Sequence, residues 1–398
     1  MSDQPKLVVE GLVKIFGRDT RAAAAALAAG ASRADILARS GDVAAIAGVS
    51  FAVRAGEIFV VMGLSGSGKS TLIRCLNRLI EPTAGSVRLD GEDVLAAGAE
   101  QLRQLRLHKM AMVFQHFALF PHKTVAENVE FGLKARGIGR AERRRRAMTV
   151  LEQVGLAAWA DRPPTALSGG MQQRVGLARS LAVDPELLLM DEAFSALDPL
   201  IRRDMQDELL DLQRRVRKTI VFITHDLNEA LTLGDRIAIM KDGRFVQVGT
   251  PQQIVAEPAD DYVAAFTRDI DRGRVFTVDQ VMRPAAGVAR KTDIAGDAIA
   301  RPGLAGQDWL VVLDPEERPV GTVTVAALRE TMASQPLGGL MQPVATVARG
   351  SRLADLYAKC AGRQPIAVID EAGRLAGCID PLDLFALLAG GAAPPKRG

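Results

Sequence analysis

An open α/β sheet is predicted for the first two-thirds of this 398-residue chain, with a smaller α+β repeat behind it. Three observations carry the prediction. Strand-length apolar runs (Glu57 to Met62, Met110 to Phe114, Leu187 to Met190, Thr219 to Ile223, Arg236 to Met240) alternate with helical patterns, as a buried parallel sheet requires. Five segments suited to handling phosphate stand in one fixed order along the same region. From about Val275 the sequence then repeats itself.

Taken in order, residues 6 to 16 read as an opening strand that ends at Gly17. The alanine-rich stretch that follows has helical composition and little to bury, so it reads as a helical insertion in a hairpin, about residues 18–46. Strand patterning resumes at Val49 to Arg54. Between Gln115 and Leu167 the pattern is helical, which predicts an α-helical subdomain at about 116–180. Pro251 to Arg274 reads as a mostly helical, charged connection, so the first domain is expected to span 1–270. In the repeat, Trp309 to Gly321 matches Pro365 to Gly377 at one constant offset, and Val281 to Pro284 echoes Leu340 to Pro343. Each unit (about 275–330 and 335–390) should give a strand, a turn and a second strand ending on Gly, and two such units can bury their faces against each other. Residues 391–398 are expected to be a disordered tail.

The net charge of +3 argues against a polyanion-binding surface, so no nucleic acid is expected as a partner. Arg143 to Arg146 wind round a helix and read as a solvated surface. Three separate cysteines without a CxxC pair fit a reducing cytosol. No signal peptide is visible, and no apolar run reaches the roughly 18 residues that span a bilayer. His108, His116 and His122 have no metal-ligand spacing and read as structural.

The chemistry begins at Gly63-Leu64-Ser65-Gly66-Ser67-Gly68-Lys69-Ser70-Thr71, between a buried strand and a helix. In that context the glycines let backbone N–H groups turn inward on phosphates, and the helix N-terminus adds partial positive charge. Lys69 should reach the β- and γ-phosphates, and Ser70 should ligate Mg²⁺. Asp191 and Glu192 end a buried strand, where α/β sheets bind ligands. Asp191 is expected to hold Mg²⁺, and Glu192 to act as general base toward the attacking water. Gln115 can orient that water or touch Mg²⁺, and His225 can donate to the γ-phosphate. Together these describe a Mg·ATP hydrolysis site. Ser168, Gly169 and Gly170 open another helix as a second anion site, yet one chain binds one triphosphate. A head-to-tail homodimer resolves this, with Ser168 of one copy facing the γ-phosphate held by the other.

The set resembles the ATP-binding subunit of an ABC transporter, over roughly residues 6 to 270. The resemblance implies that Phe16 stacks on adenine and that Ser195 to Asp198 couples the two sites of the dimer. It implies too that Phe114 to Asn128 forms the groove receiving a coupling helix from an integral membrane permease. The insertion, the stretch Met190 to Ile201 and the C-terminal repeat look like the importers of glycine betaine and proline betaine. The repeat resembles a CBS pair, whose nucleotide-binding pattern wants a hydroxyl residue followed three positions on by Asp. Here the first unit has Thr324 but Ala327, and the second has Asp383 but Asp380 in the hydroxyl's place. A salt or membrane-surface sensor, or a dimerisation module, fits better.

The expected function is therefore an importer ATPase for a quaternary amine such as glycine betaine, proline betaine or choline. It would sit peripherally on the cytoplasmic face of the inner membrane and meet a substrate-binding protein only indirectly. Two alternatives stay open: the same ATPase serving another solute such as an amino acid, and a soluble ABC ATPase acting on DNA or ribosomes.

Overall fold

The structure, a computed structural model, describes residues 5–115, 118–195, 197–285, 287–300, 308–361 and 364–389. His116 and the expected tail lie outside the described residues. The chain divides into two compact units, Met1–Arg268 and Asp269–Gly398.

In the first unit a six-stranded sheet runs in the order Arg244–Gly249, Arg236–Lys241, Ile58–Met62, Thr219–Thr224, Leu187–Asp191, Met110–Val113. Its neighbours are parallel except Arg244–Gly249, which returns antiparallel on Arg236–Lys241. Every residue of Ile58–Met62, Leu187–Asp191 and Thr219–Thr224 is buried. The unbroken apolar runs in the sequence have this cause: both faces of each central strand are covered.

The sequence leads to one open sheet here, and the unit contains a second. Val43–Arg54, Pro5–Phe16, Ala84–Leu89 and Glu92–Asp93 form an antiparallel sheet in that order. Ala84–Leu89 escapes a search for apolar runs because its burial alternates, with Val87 and Leu89 inward and Arg88 outward. The helix Lys69–Leu76 shares one core with both sheets, placing Leu72, Ile73, Cys75 and Leu76 among Leu7, Val9, Phe59 and Val221. Phe51 and Phe59 stack there at 5.0 Å. Burial pushes the Cys75 thiol up to about 12, which suits a packing residue.

The insertion consists of the helices Thr20–Ala28 and Arg33–Ser40, and strand resumes at Val43, earlier than the sequence indicates. Ile15, Leu27, Ile36 and Ala44 give it a small core of its own. The helices Val125–Ala135, Arg140–Gln153 and Gly169–Ala182 bury Val129, Leu133, Leu151 and Val175 in a separate cluster. On that cluster's surface the arginine run is paired, Arg143 with Glu130, Arg144 with Asp161, and Arg145 and Arg146 with Glu142.

The second unit holds two three-stranded sheets of identical topology. One orders Val288–Arg290, Trp309–Leu313 and Pro319–Thr324; the other orders Thr346–Ala348, Ile366–Ile369 and Leu375–Ile379. Gly321 and Gly377 lie inside their second strands, correcting the expectation that the strands end there. The reason is close approach. Arg283 bridges to Cys378 and Gln342 bridges to Thr322, so each half lends backbone to the other's sheet. A Cβ on Gly321 would stand 2.6 Å from Met341 Cε, and one on Gly377 2.6 Å from the Arg283 carbonyl.

Candidate nucleotide site

The site assembles where the central parallel strands end. Ile58–Met62 delivers the chain into the Gly63–Gly68 loop, and Gly68 caps the helix Lys69–Leu76 without a side chain. Gly66 (φ +79°) and Gly68 (φ +108°) adopt left-handed backbone that L side chains disfavour. A Cβ on Gly68 would also collide with the Ala45 carbonyl, and one on Gly63 with the Met240 carbonyl. The turn at Gly243 pins the loop from outside: Gly243 N–H donates to Ser67 O at 2.9 Å, and Ala47 N–H donates to Gly243 O at 2.8 Å.

Lys69 is 4% exposed and donates to Gly63 O at 2.8 Å and Leu64 O at 3.0 Å. Burial lowers its pKa, while Glu192 and Asp191 oppose that shift. Asp191 is 1% exposed; its Oδ2 accepts from Arg74 Nη2 at 3.1 Å, and its Oδ1 is buried without a partner among the described residues. Ser67 Oγ is likewise buried and unpaired. Buried polar atoms left unmet beside a lysine and a helix N-terminus fit a phosphate-bound cation and its anion.

Glu192 sits at φ +46°, a strained conformation for a glutamate, held by its N–H donating to Ile223 O at 3.0 Å. Gln115 Nε2 donates to Glu192 Oε2 at 3.3 Å, and His225 Nδ1 lies 3.3 Å from that same oxygen. Ser195 Oγ donates to the Glu192 carbonyl at 2.9 Å. Gln115, Asp191, Glu192 and His225 thus come from three strand ends and meet at one place.

Other expected residues stand apart. Phe16 ends its strand 43% exposed, with Lys14 Nζ 4.8 Å above its ring. Ser168 is exposed and caps its own helix, accepting from Met171 N–H at 3.4 Å. None of the described hydrogen bonds joins Ser168 to the Gly63–Thr71 loop. A side chain on Gly170 would press on Ile201, at the start of the helix Pro199–Val216. Asp198 caps that helix, accepting from Leu200 and Ile201 N–H at 3.1 Å.

Sequence reasoning missed Arg74, Arg202, Asp226 and Glu229. Arg74, the sixth residue of the helix Lys69–Leu76, reaches Asp191 across the fold, a contact that no local pattern marks. Glu229 is buried and bonded by Gln206 Nε2 at 3.2 Å, and burial raises its pKa above the usual carboxylate range. Nothing in the sequence distinguishes it from a surface glutamate.

Fold and site define a nucleoside-triphosphate-binding cassette. Residues 46–195 match the ABC transporter family model. The chain is 45% identical to a glycine betaine transport ATP-binding protein of Bacillus subtilis, over 97% of this chain and 93% of that one. It is 49% identical to a glycine betaine/proline betaine transport system ATP-binding protein of Escherichia coli, over 83% of each. A solved dimeric bacterial ABC transporter cassette superposes with a TM-score of 0.53 at 32% identity, covering 62% of this chain and 98% of that one. The chain belongs to the ABC transporter ATP-binding family, among the relatives of the betaine importers.

Proposed function

We propose that this chain is the ATP-hydrolysing subunit of an importer for quaternary amines such as glycine betaine, proline betaine or choline. The observation that carries the hydrolytic half is the convergence of Gln115 and His225 on one oxygen of Glu192, beside buried Asp191 and Lys69. The solute class rests on likeness to the Bacillus subtilis protein, which extends over 97% of the chain and so includes the C-terminal unit.

Phe16 offers its ring to adenine. Backbone N–H groups of Leu64 through Thr71, with Lys69, bind the phosphates. Ser70, Asp191 and Gln115 would hold Mg²⁺, which when bound supplies Lewis-acid charge to the β- and γ-phosphate oxygens. Gln115 orients the water, Glu192 takes its proton as oxygen bonds to the γ-phosphorus, and ADP leaves with the bridging oxygen. His225 donates to the γ-phosphate. Because Gln115 and His225 both engage Oε2, the proton goes to Glu192 Oε1.

Exposed Ser168, Gly169 and Gly170 act on the partner copy's triphosphate, with Asp198 at the seam between the two sites. The dimer drives separate membrane permease subunits from their cytoplasmic side, and a substrate-binding protein acts only through those subunits. The mutual exchange of Arg283 and Gln342 between the two halves supports reading the second unit as a CBS pair.

The test is uptake into vesicles carrying the chain with its permease partners and ATP inside. Labelled glycine betaine should accumulate and be displaced by proline betaine or choline. Accumulation of an amino acid with no response to any quaternary amine would overturn the solute assignment.

A further inference from the structure

One side chain joins the two loops that carry the reacting groups, and no motif announces it. Arg202 lies in the first turn of the helix Pro199–Val216, with 27% of its side chain exposed. Its Nη2 donates to the Leu197 carbonyl at 3.1 Å, in the loop that leaves Glu192. Its Nη1 donates to Asp226 Oδ2 at 3.3 Å, in the residue that follows His225. The guanidinium therefore spans the loop after Glu192 and the loop after His225, using both arms of its fixed fork.

Asp226 is suited to pass that restraint on. Its Oδ1 accepts from Asn228 N–H at 2.8 Å and Glu229 N–H at 3.3 Å, capping the helix Leu227–Leu233, while its own N–H donates to Thr224 Oγ1 at 3.0 Å. Asp226 thus spans His225 through its own N–H, caps the following helix through Oδ1 and receives Arg202 through Oδ2. One turn along the Arg202 helix, Gln206 Nε2 reaches Glu229 at 3.2 Å, so the two helices are tied twice on one face.

We infer that Arg202 is a positioning residue, a brace that fixes the loop bearing Glu192 against the loop bearing His225 and so maintains their 3.3 Å contact. The inference rests on the assignment of Glu192 and His225 as reacting groups. Arg202 touches neither of them. Its effect should appear in turnover and not in nucleotide capture, because Lys69 and the glycine loop lie on other elements.

The experiment compares Arg202→Met and Arg202→Lys in the full chain, by steady-state hydrolysis and by amide hydrogen exchange over 192–198 and 225–233. Misplacing a reacting group by about 1 Å can cost up to 10²-fold in rate. Arg202→Met should lower kcat by about ten- to a hundredfold with KM for ATP within about threefold, and exchange should rise in both segments together. Arg202→Lys reaches one acceptor at a time and should recover part of the loss. Asp226→Asn combined with Arg202→Met should be no worse than Arg202→Met alone, since both break one tie.

A kcat within twofold of the parent, losses that multiply in the double variant, or exchange rising in one segment alone would overturn the brace. If Arg202→Met does not fold, Arg202→Lys with Asp226→Asn gives the same comparison. A parent chain that hydrolyses no ATP would sink the proposed function instead, while the exchange data would still decide whether the two loops are tied.

Discussion

The two units of this chain differ in how they hold the polar groups placed to meet phosphate. At the nucleotide site of the first unit, Ser67 Oγ and Asp191 Oδ1 are buried without partners among the described residues, and Lys69 donates to the Gly63 and Leu64 carbonyls. In the second unit the groups at the positions of the nucleotide-binding pattern are engaged within the protein. Thr324 Oγ1 accepts from Ala327 N–H at 3.0 Å, Asp380 Oδ1 accepts from Leu382 N–H at 2.8 Å, and Asp383 pairs with Arg283 at 2.7 Å. The second unit does bury Thr322 Oγ1 and Arg283 Nε unpaired. Thr322 pairs with Gln342 through its backbone, and the Arg283 guanidinium is already bound to Asp383. An unmet group is expensive unless a ligand meets it. Unmet atoms on the glycine loop and on the strand end that carries Asp191 therefore speak for a ligand there, while those of Asp42, Gln173, Arg202 and Glu208 stand on other segments.

The largest effect expected from this contrast lies in the first unit. Glu192→Gln keeps the shape of the side chain and loses its proton acceptor, so hydrolysis should fall roughly 10²–10⁴-fold. Nucleotide should still bind, which equilibrium dialysis with labelled ATP would measure. An unaltered rate would mean that Glu192 is not the base.

Glycine substitutions should separate the units next. Gly68→Ala forces a side chain onto left-handed backbone and into the Ala45 carbonyl, so ATP affinity should drop sharply. Gly377→Ala meets the Arg283 carbonyl instead, and should destabilise the second unit by about 1–3 kcal/mol while leaving ATP affinity alone. Thermal melts paired with nucleotide titrations check both. Loss of ATP affinity in Gly377→Ala would show that the two units do not divide these roles.

A stop after Arg268 tests what the second unit contributes. The helix Arg272–Val275 contains buried Gly273 and Val275 and belongs to the second unit, so the cut falls before it. Hydrolysis should persist, while the dependence of transport on ionic strength flattens, because charge contacts weaken as the Debye length shrinks. An unchanged salt response in vesicles would reduce the second unit to an appendage.

The smallest effect concerns stability. Burial holds the Glu229 carboxyl above its ordinary range, so the folded chain keeps a proton that the unfolded chain has released. Stability therefore falls as pH rises through that window. Glu229→Gln should remove this fall and melt at a slightly higher temperature than the parent at neutral pH. A variant that melts lower there would show that the ionised carboxylate is needed.

Much of the first unit was legible because its chemistry is written in contiguous segments. Gly63 to Thr71 and Asp191-Glu192 each carry both a pattern and a position at a strand end. The second sheet was not legible, since Ala84–Leu89 buries one face only and contains Gly85, Ser86 and Arg88. Gly321 and Gly377 were seen, but what they serve is a backbone contact from the other half of the repeat, about which the local sequence is silent. Arg202 and Asp226 are 24 residues apart, and only the fold makes them partners.

We propose that a second copy completes the site: Ser168 is exposed on its own helix, and none of the described hydrogen bonds joins it to the glycine loop. Ser168→Arg and Lys69→Ala chains should each be inactive alone. Mixed, they can form a heterodimer in which both lesions fall in one site and the other site pairs an intact glycine loop with an intact Ser168. Hydrolysis by the mixture well above the sum of the separate chains is the result predicted. A mixture no more active than that sum, with heterodimer present by native mass spectrometry, would contradict the sharing of the site.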